Sequence, residues 1–352
     1  MTPRGEVALH AALPAVAAAV PWVRLGDWPT PVEAVAGVPG LWVKREDLTA
    51  VAYGGNKVRT LEAMLGRARA AGARRIWATG AYGSNHVVAT VVHAAAAGLE
   101  AGALLFPQPP SEPALANASA ILGSGAAVVT LPSVALLPAA MAVLRRRAGD
   151  YVMAPGGASA EGALGAMSAA FELAAQAAAG ALPWPDELIV PVGSGCTTAG
   201  LLAGLHLAHA LGLAPAPPQL RAVRVTPWPI TSHWRLARLA AGTVALVDRL
   251  RGHASGLDAG ALGRRLVVDG RYLGRGYGHV TGPGEAAAAR LAVAGLHHVD
   301  AVYAAKAAAA ALATAPGTIR LLWLTKSSAA LACATEAVVA AAPRRLRRWM
   351  GR

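Results

Sequence analysis

Short apolar runs alternate with longer segments of helical spacing along most of this 352-residue chain. That alternation restricts it to an α/β architecture with mainly parallel strands. Parallel neighbours cannot be joined by a tight hairpin and need a crossover, usually a helix, so strand and helix must take turns in the sequence. Strands are predicted at 41–44, 75–79, 101–106, 126–130, 151–153, 187–192, 221–226 and 319–325. Helices are predicted at 59–71, 87–97, 113–122, 161–179, 198–211, 284–294 and 327–341, and the alanine-rich run 304–315 also reads as a closely packed helix. Proline-bearing stretches at 107–110, 183–185 and 215–218 mark loops and not linkers. No repeat of solenoid length is present, so these patterns place no clean domain boundary.

Composition narrows the class. Apolar residues make up 55% of the chain and charged ones 14%, which suits a compact protein with a large core and excludes disorder. Much of the apolar share is alanine, and no segment reads as long and greasy enough to span a bilayer, so no membrane partner is expected. The run 7–20 is not expected to be an export signal: it follows Glu6, carries His10, is broken by Pro14, and has no basic leader beyond Arg4. Two cysteines, Cys196 and Cys333, provide no disulfide framework. They fit a reducing compartment, and a cytoplasmic location is expected. The formal charge of +13 raises nucleic acid as a partner. The arginines, however, are scattered apart from Arg145 to Arg147 and a terminal group of Arg344, Arg345, Arg347, Arg348 and Arg352. No nucleic-acid-binding motif accompanies them, so they read as a solvated basic surface.

Three segments carry chemistry. In Gly54-Gly55-Asn56-Lys57 a lysine stands behind a flexible glycine pair at the start of a helical run. A lysine kept out of water has a lowered pKa and can condense with a carbonyl. An apolar strand runs into Gly193, Ser194, Gly195, Cys196 and Thr197, after which a helix begins. Converging backbone N–H groups and the helix terminus make such a turn a cradle for a phosphate. Neither the Walker nor the Rossmann spacing is present, which argues against ATP or NAD, and a lone turn of this kind is structural about as often as functional. Ser84 and Asn85 follow another strand and can bind a carboxylate and a ring hydroxyl. They equally suit an ordinary helix N-cap, which on local grounds is the better reading. His86 and His93 are wrongly spaced for a zinc pair and lack carboxylate or cysteine partners, so no metal is expected. Tyr277 and Tyr303, near glycine turns, can stack on a flat ligand or give a proton, or simply fill the core. Thr325, at a strand end, can hydrogen-bond a ring nitrogen.

In order and spacing these segments resemble the D-cysteine desulfhydrase and 1-aminocyclopropane-1-carboxylate deaminase family, pyridoxal-phosphate enzymes of the tryptophan synthase β-like fold type II. The likeness runs from Leu25-Gly26-Asp27-Trp28-Pro29-Thr30-Pro31 to about Thr325. It includes Lys44-Arg45-Glu46-Asp47-Leu48, Gly55-Asn56-Lys57-Val58-Arg59, Ser84-Asn85-His86, Pro155-Gly156-Gly157, Gly276-Tyr277-Gly278 and Asp300-Ala301-Val302-Tyr303. The resemblance implies two α/β domains, a small one of residues 51–163 inserted into a large one of residues 1–50 and 164–352, with the cofactor between them. It implies that Lys57 carries pyridoxal phosphate covalently, that residues 193–197 hold its phosphate, and that Asn85 bonds its ring hydroxyl oxygen. Ser84 and His86 would lie beside the substrate carboxylate, Tyr277 and Tyr303 would line the pocket, and Thr325 would face the pyridine nitrogen. A homodimer is also implied.

The activity implied is deaminating α,β-elimination on a small amino acid, as in D-cysteine desulfhydrase, with Lys57 or Ser84 as the base and a 2-oxo acid and ammonia as products. Cyclopropane ring opening is the alternative, as is a diverged cofactor-binding protein without turnover. The deaminase branch carries an acidic residue where this chain has Ala304. The desulfhydrase branch ends in His-Thr-Gly-Gly where this chain has Leu324-Thr325-Lys326-Ser327, and Gly83 replaces the usual glutamine.

Overall fold

A computed structural model of the chain describes residues 5–315 and 317–351; Arg4 and Arg352 lie outside the described residues. Its strands are β1 (Val32–Ala34), β2 (Leu41–Lys44), β3 (Arg75–Ala81), β4 (Glu100–Phe106), β5 (Ala127–Thr130), β6 (Asp150–Val152), β7 (Glu187–Val192), β8 (Gln219–Arg224), β9 (Leu266–Asp269) and β10 (Arg320–Trp323). Six of them form one sheet in the order β1-β2-β10-β7-β8-β9, in which only β1 runs antiparallel. The other four form a wholly parallel sheet in the order β5-β4-β3-β6. The chain leaves the first sheet after β2, builds the whole of the second, and returns at β7. Strand β7 is buried at every position, which is why it reads as an unbroken apolar run and not as an alternation.

Helices cover both sheets. Helix Ala160–Ala178 packs against Cys196–Ala210 and against Lys57–Ala70. A buried ionic cluster ties the last of these to β2. Arg59 Nε lies 2.6 Å from Glu46 Oε2 and Arg59 Nη2 3.0 Å from Glu172 Oε2, while Lys44 Nζ lies 2.5 Å from Glu172 Oε1. The Arg59 guanidinium also stacks 3.8 Å over the Trp28 ring, a contact that suits its weak hydration. The run 7–20 forms helices Ala8–Ala12 and Pro14–Ala19, which bury Leu9 and Val16. The basic C-terminal segment is docked, with Leu346 buried and Trp349 Nε1 donating to the Gln108 carbonyl at 2.6 Å.

The predicted strands appear within about two residues of their observed positions, and so do the predicted helices up to residue 294, except that the helix expected over 87–97 is α-helical only to His93 and continues as a 3-10 helix over Ala94–Ala97. Residues 327–335 correct the expectation of a helix over 327–341. Ser327 Oγ accepts from Gly54 N at 2.8 Å, and a β-bridge joins Gly55 to Lys326. These contacts tie the start of the segment to the loop at 54–55, residues 327–335 form no regular element, and helix begins only at Glu336, capped by the Thr335 side chain. Strands β1 and β9 and helices Leu137–Arg145 and His233–Arg251 were not anticipated. The last buries Leu236, Ala240, Thr243 and Val247 at helical spacing within an arginine-rich stretch.

Candidate active site

Loops that follow β3, β4, β7, β8 and β10 converge at the carboxyl ends of their strands, where open α/β sheets bind ligands. They enclose a cavity of about 580 Å³. Lys57, Ser84, Asn85, His86, Gly193, Ser194, Gly195, Cys196, Thr197, Tyr277, Tyr303 and Thr325 all line it. Among the described lining residues none is Asp or Glu. No three His, Cys, Asp or Glu side chains among the described residues converge to hold a metal.

Lys57 opens its helix, and the residue before it is fixed on two sides. Asn56 N donates to the Thr325 carbonyl at 3.1 Å, and Asn56 Nδ2 donates to Thr197 Oγ1 at 2.7 Å. Lys57 Nζ donates to the Gly156 carbonyl at 3.0 Å. The side chain faces the cavity but has protein on every other side, and burial pushes its pKa down while nearby Cys196 pulls the other way. Burial pushes the Cys196 thiol up, so it stays protonated and donates to the Gly157 carbonyl at 3.1 Å. The amine is therefore the stronger nucleophile of the two.

Gly195, with φ of +88°, turns the chain from β7 into helix Cys196–Ala210. A Cβ there would lie 2.4 Å from Leu236 Cδ2, so both conformation and space demand glycine. The first N–H groups of that helix have no intrahelical partner and face the cavity end of the turn. Arg235, which lines the cavity, braces the turn, its Nη1 donating to the carbonyls of Ser194 at 2.9 Å and Ile230 at 2.7 Å. Thr198 Oγ1 is buried at the cavity without a partner. Neither Arg235 nor Thr198 was singled out from the sequence. Thr198 reads there as a helix residue, and Arg235 lies too far along the chain to leave a local signal.

Ser84 occupies the N-cap position of helix Asn85–His93, yet its side chain makes no capping bond. The capping alternative therefore fails, and the hydroxyl is left to the cavity. Asn117 Nδ2, on helix Glu112–Gly123, donates to Asn85 Oδ1 at 2.7 Å and to the Gly83 carbonyl at 2.8 Å. Asn85 is thereby oriented with its own amide N–H groups free to donate. A Cβ at Gly83 would lie 2.5 Å from Ala114 Cα, so no side chain fits there. Gln108 instead reaches this loop, its Oε1 accepting from Gly83 N at 3.2 Å.

His86 is 3% exposed and neither ring nitrogen has a partner. Burial, reinforced by Lys57, holds its pKa well below 6.5. The unfolded chain therefore binds a proton first as pH falls below 6.5, and stability declines through that window, by up to about 1.4 kcal/mol per pH unit from this group. His86→Asn is expected to flatten the decline, measured by urea denaturation at about pH 7 and about pH 5.5. His10 and His206, shifted in the same direction by burial, stay in both proteins, so an unchanged slope would refute the assignment.

Opposite, the Tyr277 and Tyr303 hydroxyls lie 2.7 Å apart with the rings edge to face at 6.1 Å. Burial pushes both phenols up, so both are neutral and able to donate. Lys306 Nζ, buried, donates to the Leu273 carbonyl at 3.0 Å and anchors the loop that carries Tyr277. Asp300 accepts from the N–H groups of Val302, Tyr303 and Ala304 and so fixes the start of helix Ala304–Leu312.

Residues 23–320 match the family model described as pyridoxal-phosphate dependent enzyme. The chain belongs to that family. Nocardicin C-9' epimerase of Nocardia uniformis subsp. tsuyamanensis is 39% identical over 199 residues, which cover 54% of this chain and 60% of the epimerase. D-cysteine desulfhydrase of Salmonella paratyphi A is 33% identical over 205 residues, covering 53% of this chain and 60% of the relative. The chain thus spans less than two thirds of the length of these curated relatives. A crystal structure of an ACC deaminase homologue superposes with a TM-score of 0.74 at 26% identity, covering 94% of this chain and 96% of the other. The architecture is the fold type II of pyridoxal-phosphate enzymes, as the resemblance implied.

The cavity suits pyridoxal phosphate on its own evidence. It offers a glycine turn on a helix N-terminus for a phosphate and a depressed amine for an aldehyde. The buried Thr79 and Thr198 hydroxyls and the His86 ring lack protein partners there, and buried polar atoms of that kind call for a ligand.

Proposed function

We propose that the chain is a deaminating lyase that removes the Cα proton of an amino acid and expels the β-substituent, after which the released unsaturated product takes up one water to give a 2-oxo acid and ammonia. D-cysteine desulfhydrase, to which the chain is 33% identical over 205 residues, is a relative with such an activity in its name. The observation that carries this reading is a cavity lined by no carboxylate among the described residues. Bound pyridoxal phosphate supplies an electron sink, and that sink is strongest when an acidic group protonates its pyridine nitrogen. Here Thr325 would face the nitrogen with a neutral hydroxyl, which suits loss of a β-substituent better than transamination.

In this reading Lys57 holds the cofactor and its amine, once displaced by substrate, takes the Cα proton; Ser84 Oγ is the other candidate base. The turn at 193–197 binds the phosphate, with Thr198 and Arg235 supporting it. Asn85 donates to the ring oxygen, and Ser84 and His86 orient the substrate carboxylate. Tyr277 and Tyr303 close the far wall and keep water out. Residues 51–163 would form the small domain and residues 1–50 with 164–352 the large one, and two copies would form a homodimer. Cyclopropane ring opening is disfavoured because Ala304, buried, offers no acid at the place where that branch carries one.

Epimerisation at Cα is the second reading, favoured by the 39% identity to nocardicin C-9' epimerase. It needs the same proton abstraction with return of a proton to the opposite face. Incubation of the holoenzyme with amino acids in D₂O separates the two. The lyase yields 2-oxo acid and ammonia, while the epimerase yields the inverted, Cα-deuterated amino acid and no ammonia. Borohydride reduction and peptide mapping are expected to place the pyridoxyl group on Lys57; a label on another residue would end both readings.

A further inference from the structure

The proposed chemistry uses one end of the cavity, where Lys57, Ser84 and Asn85 meet. From there the space continues to the surface between two apolar walls. Phe106, at the end of β4, and Val134 and Leu137, in the helical turn and helix that follow β5, line it on one side, and Trp228 and Ile230 line it from the loop after β8. Val134 is 52% exposed, Trp228 70% and Ile230 43%. An apolar rim left facing water around the mouth of a cavity marks a surface that a ligand covers.

We infer that the substrate is an amino acid whose β-substituent, joined to Cβ through a sulfur or oxygen atom so that it can leave with the bonding electron pair, carries a large, uncharged, aromatic or branched apolar group that extends from Cα outward between Trp228 and Val134. Leucine and phenylalanine serve as unreactive probes of that space. This deepens the proposed function and rests on it for the placement of Cα beside Lys57. A substrate the size of cysteine would stop short of this rim and leave it wet. A cationic side chain would find no carboxylate in the cavity among the described residues. An anionic one would compete for the two cations among the described lining residues, Lys57 and Arg235, which the proposed function assigns to the cofactor and to the phosphate turn, where Arg235 Nη1 donates to the Ser194 and Ile230 carbonyls. An apolar side chain leaves no polar group unpaired and removes Trp228 from water, the contact that buries most area for one residue.

The test is titration of the holoenzyme with alanine, cysteine, leucine and phenylalanine, each as both enantiomers, followed by the visible absorption of the cofactor. Phenylalanine of one hand is expected to bind at least about tenfold more tightly than alanine, because apolar burial sets the difference. Trp228→Ala, at an exposed position that the fold does not need, is expected to shrink the phenylalanine-to-alanine ratio by about tenfold. Val134→Gln, on the facing wall, is expected to act in the same direction. Equal or tighter binding of alanine and cysteine, or an unchanged ratio in both variants, would overturn the inference and leave the proposed lyase standing. Silence from every amino acid would overturn the proposed function, and this inference with it.

Discussion

Lys57→Ala is expected to cut turnover of the holoenzyme by about 10³-fold or more, because one side chain serves as cofactor anchor and as proton acceptor. The wild-type amine suits both tasks. It stands 3.0 Å from the Gly156 carbonyl, and burial keeps its pKa below the ordinary lysine value. Among the described lining residues no other is lysine, and the neighbouring Cys196 is held neutral by burial. Folding should survive the change, since the side chain faces the cavity and its hydrogen bond is to the Gly156 carbonyl. Urea denaturation is therefore expected to move by no more than about 1.5 kcal/mol. Steady-state assays, the cofactor's visible spectrum and the unfolding curve together check the prediction. Near-normal turnover with a folded variant would remove Lys57 from the chemistry.

Glu172→Ala has the largest expected effect on stability. The Glu172 carboxylate accepts from Lys44 Nζ at 2.5 Å, from Arg59 Nη2 at 3.0 Å and from Thr30 N at 2.9 Å. Burial opposes its ionisation, yet Arg59 and Lys44 together hold its pKa below the usual carboxylate range. Its removal leaves Glu46 alone against two buried cations, one of them Lys44 at 0% exposure. Breaking a buried ion cluster on one side costs roughly 3–5 kcal/mol, because the unmatched charge stays in a medium that solvates it poorly. The damage should reach the site as well, since Arg59 lies two residues beyond Lys57 on the same helix. Cofactor affinity is expected to fall with stability. A midpoint in urea within about 1 kcal/mol of wild type would show that the cluster relaxes or hydrates instead.

Much of this protein is legible along the chain because its main elements are local. Parallel strands such as β7 and β4 announce themselves as compact apolar runs, and the helices between them by spacing or by alanine content. The glycine pair before Lys57 and the turn at 193–197 are legible because they need special backbone there. Other parts leave no such trace. Ser84 has the composition of an N-cap, and only the backbone geometry of helix Asn85–His93 shows that its hydroxyl makes no capping bond. Asn117 and Arg235 act on residues 32 and 41 positions away, distances over which no periodicity operates. Residues 327–335 have helical composition but form no helix, because bonds to the loop at 54–55 outweigh weak local propensity.

The sequence by itself determined an α/β chain of alternating strands and helices, a lysine behind a glycine turn, and a phosphate-type cradle, since each depends on neighbours a few residues apart. Tertiary structure alone decided that these pieces share one cavity at the carboxyl ends of two sheets. It also decided that no carboxylate among the described residues lines that cavity, and that its mouth is edged by Val134 and Trp228. What fills a cavity is settled by which distant loops meet there, and their meeting follows from the packing of whole sheets and helices, a property that no short stretch of chain carries.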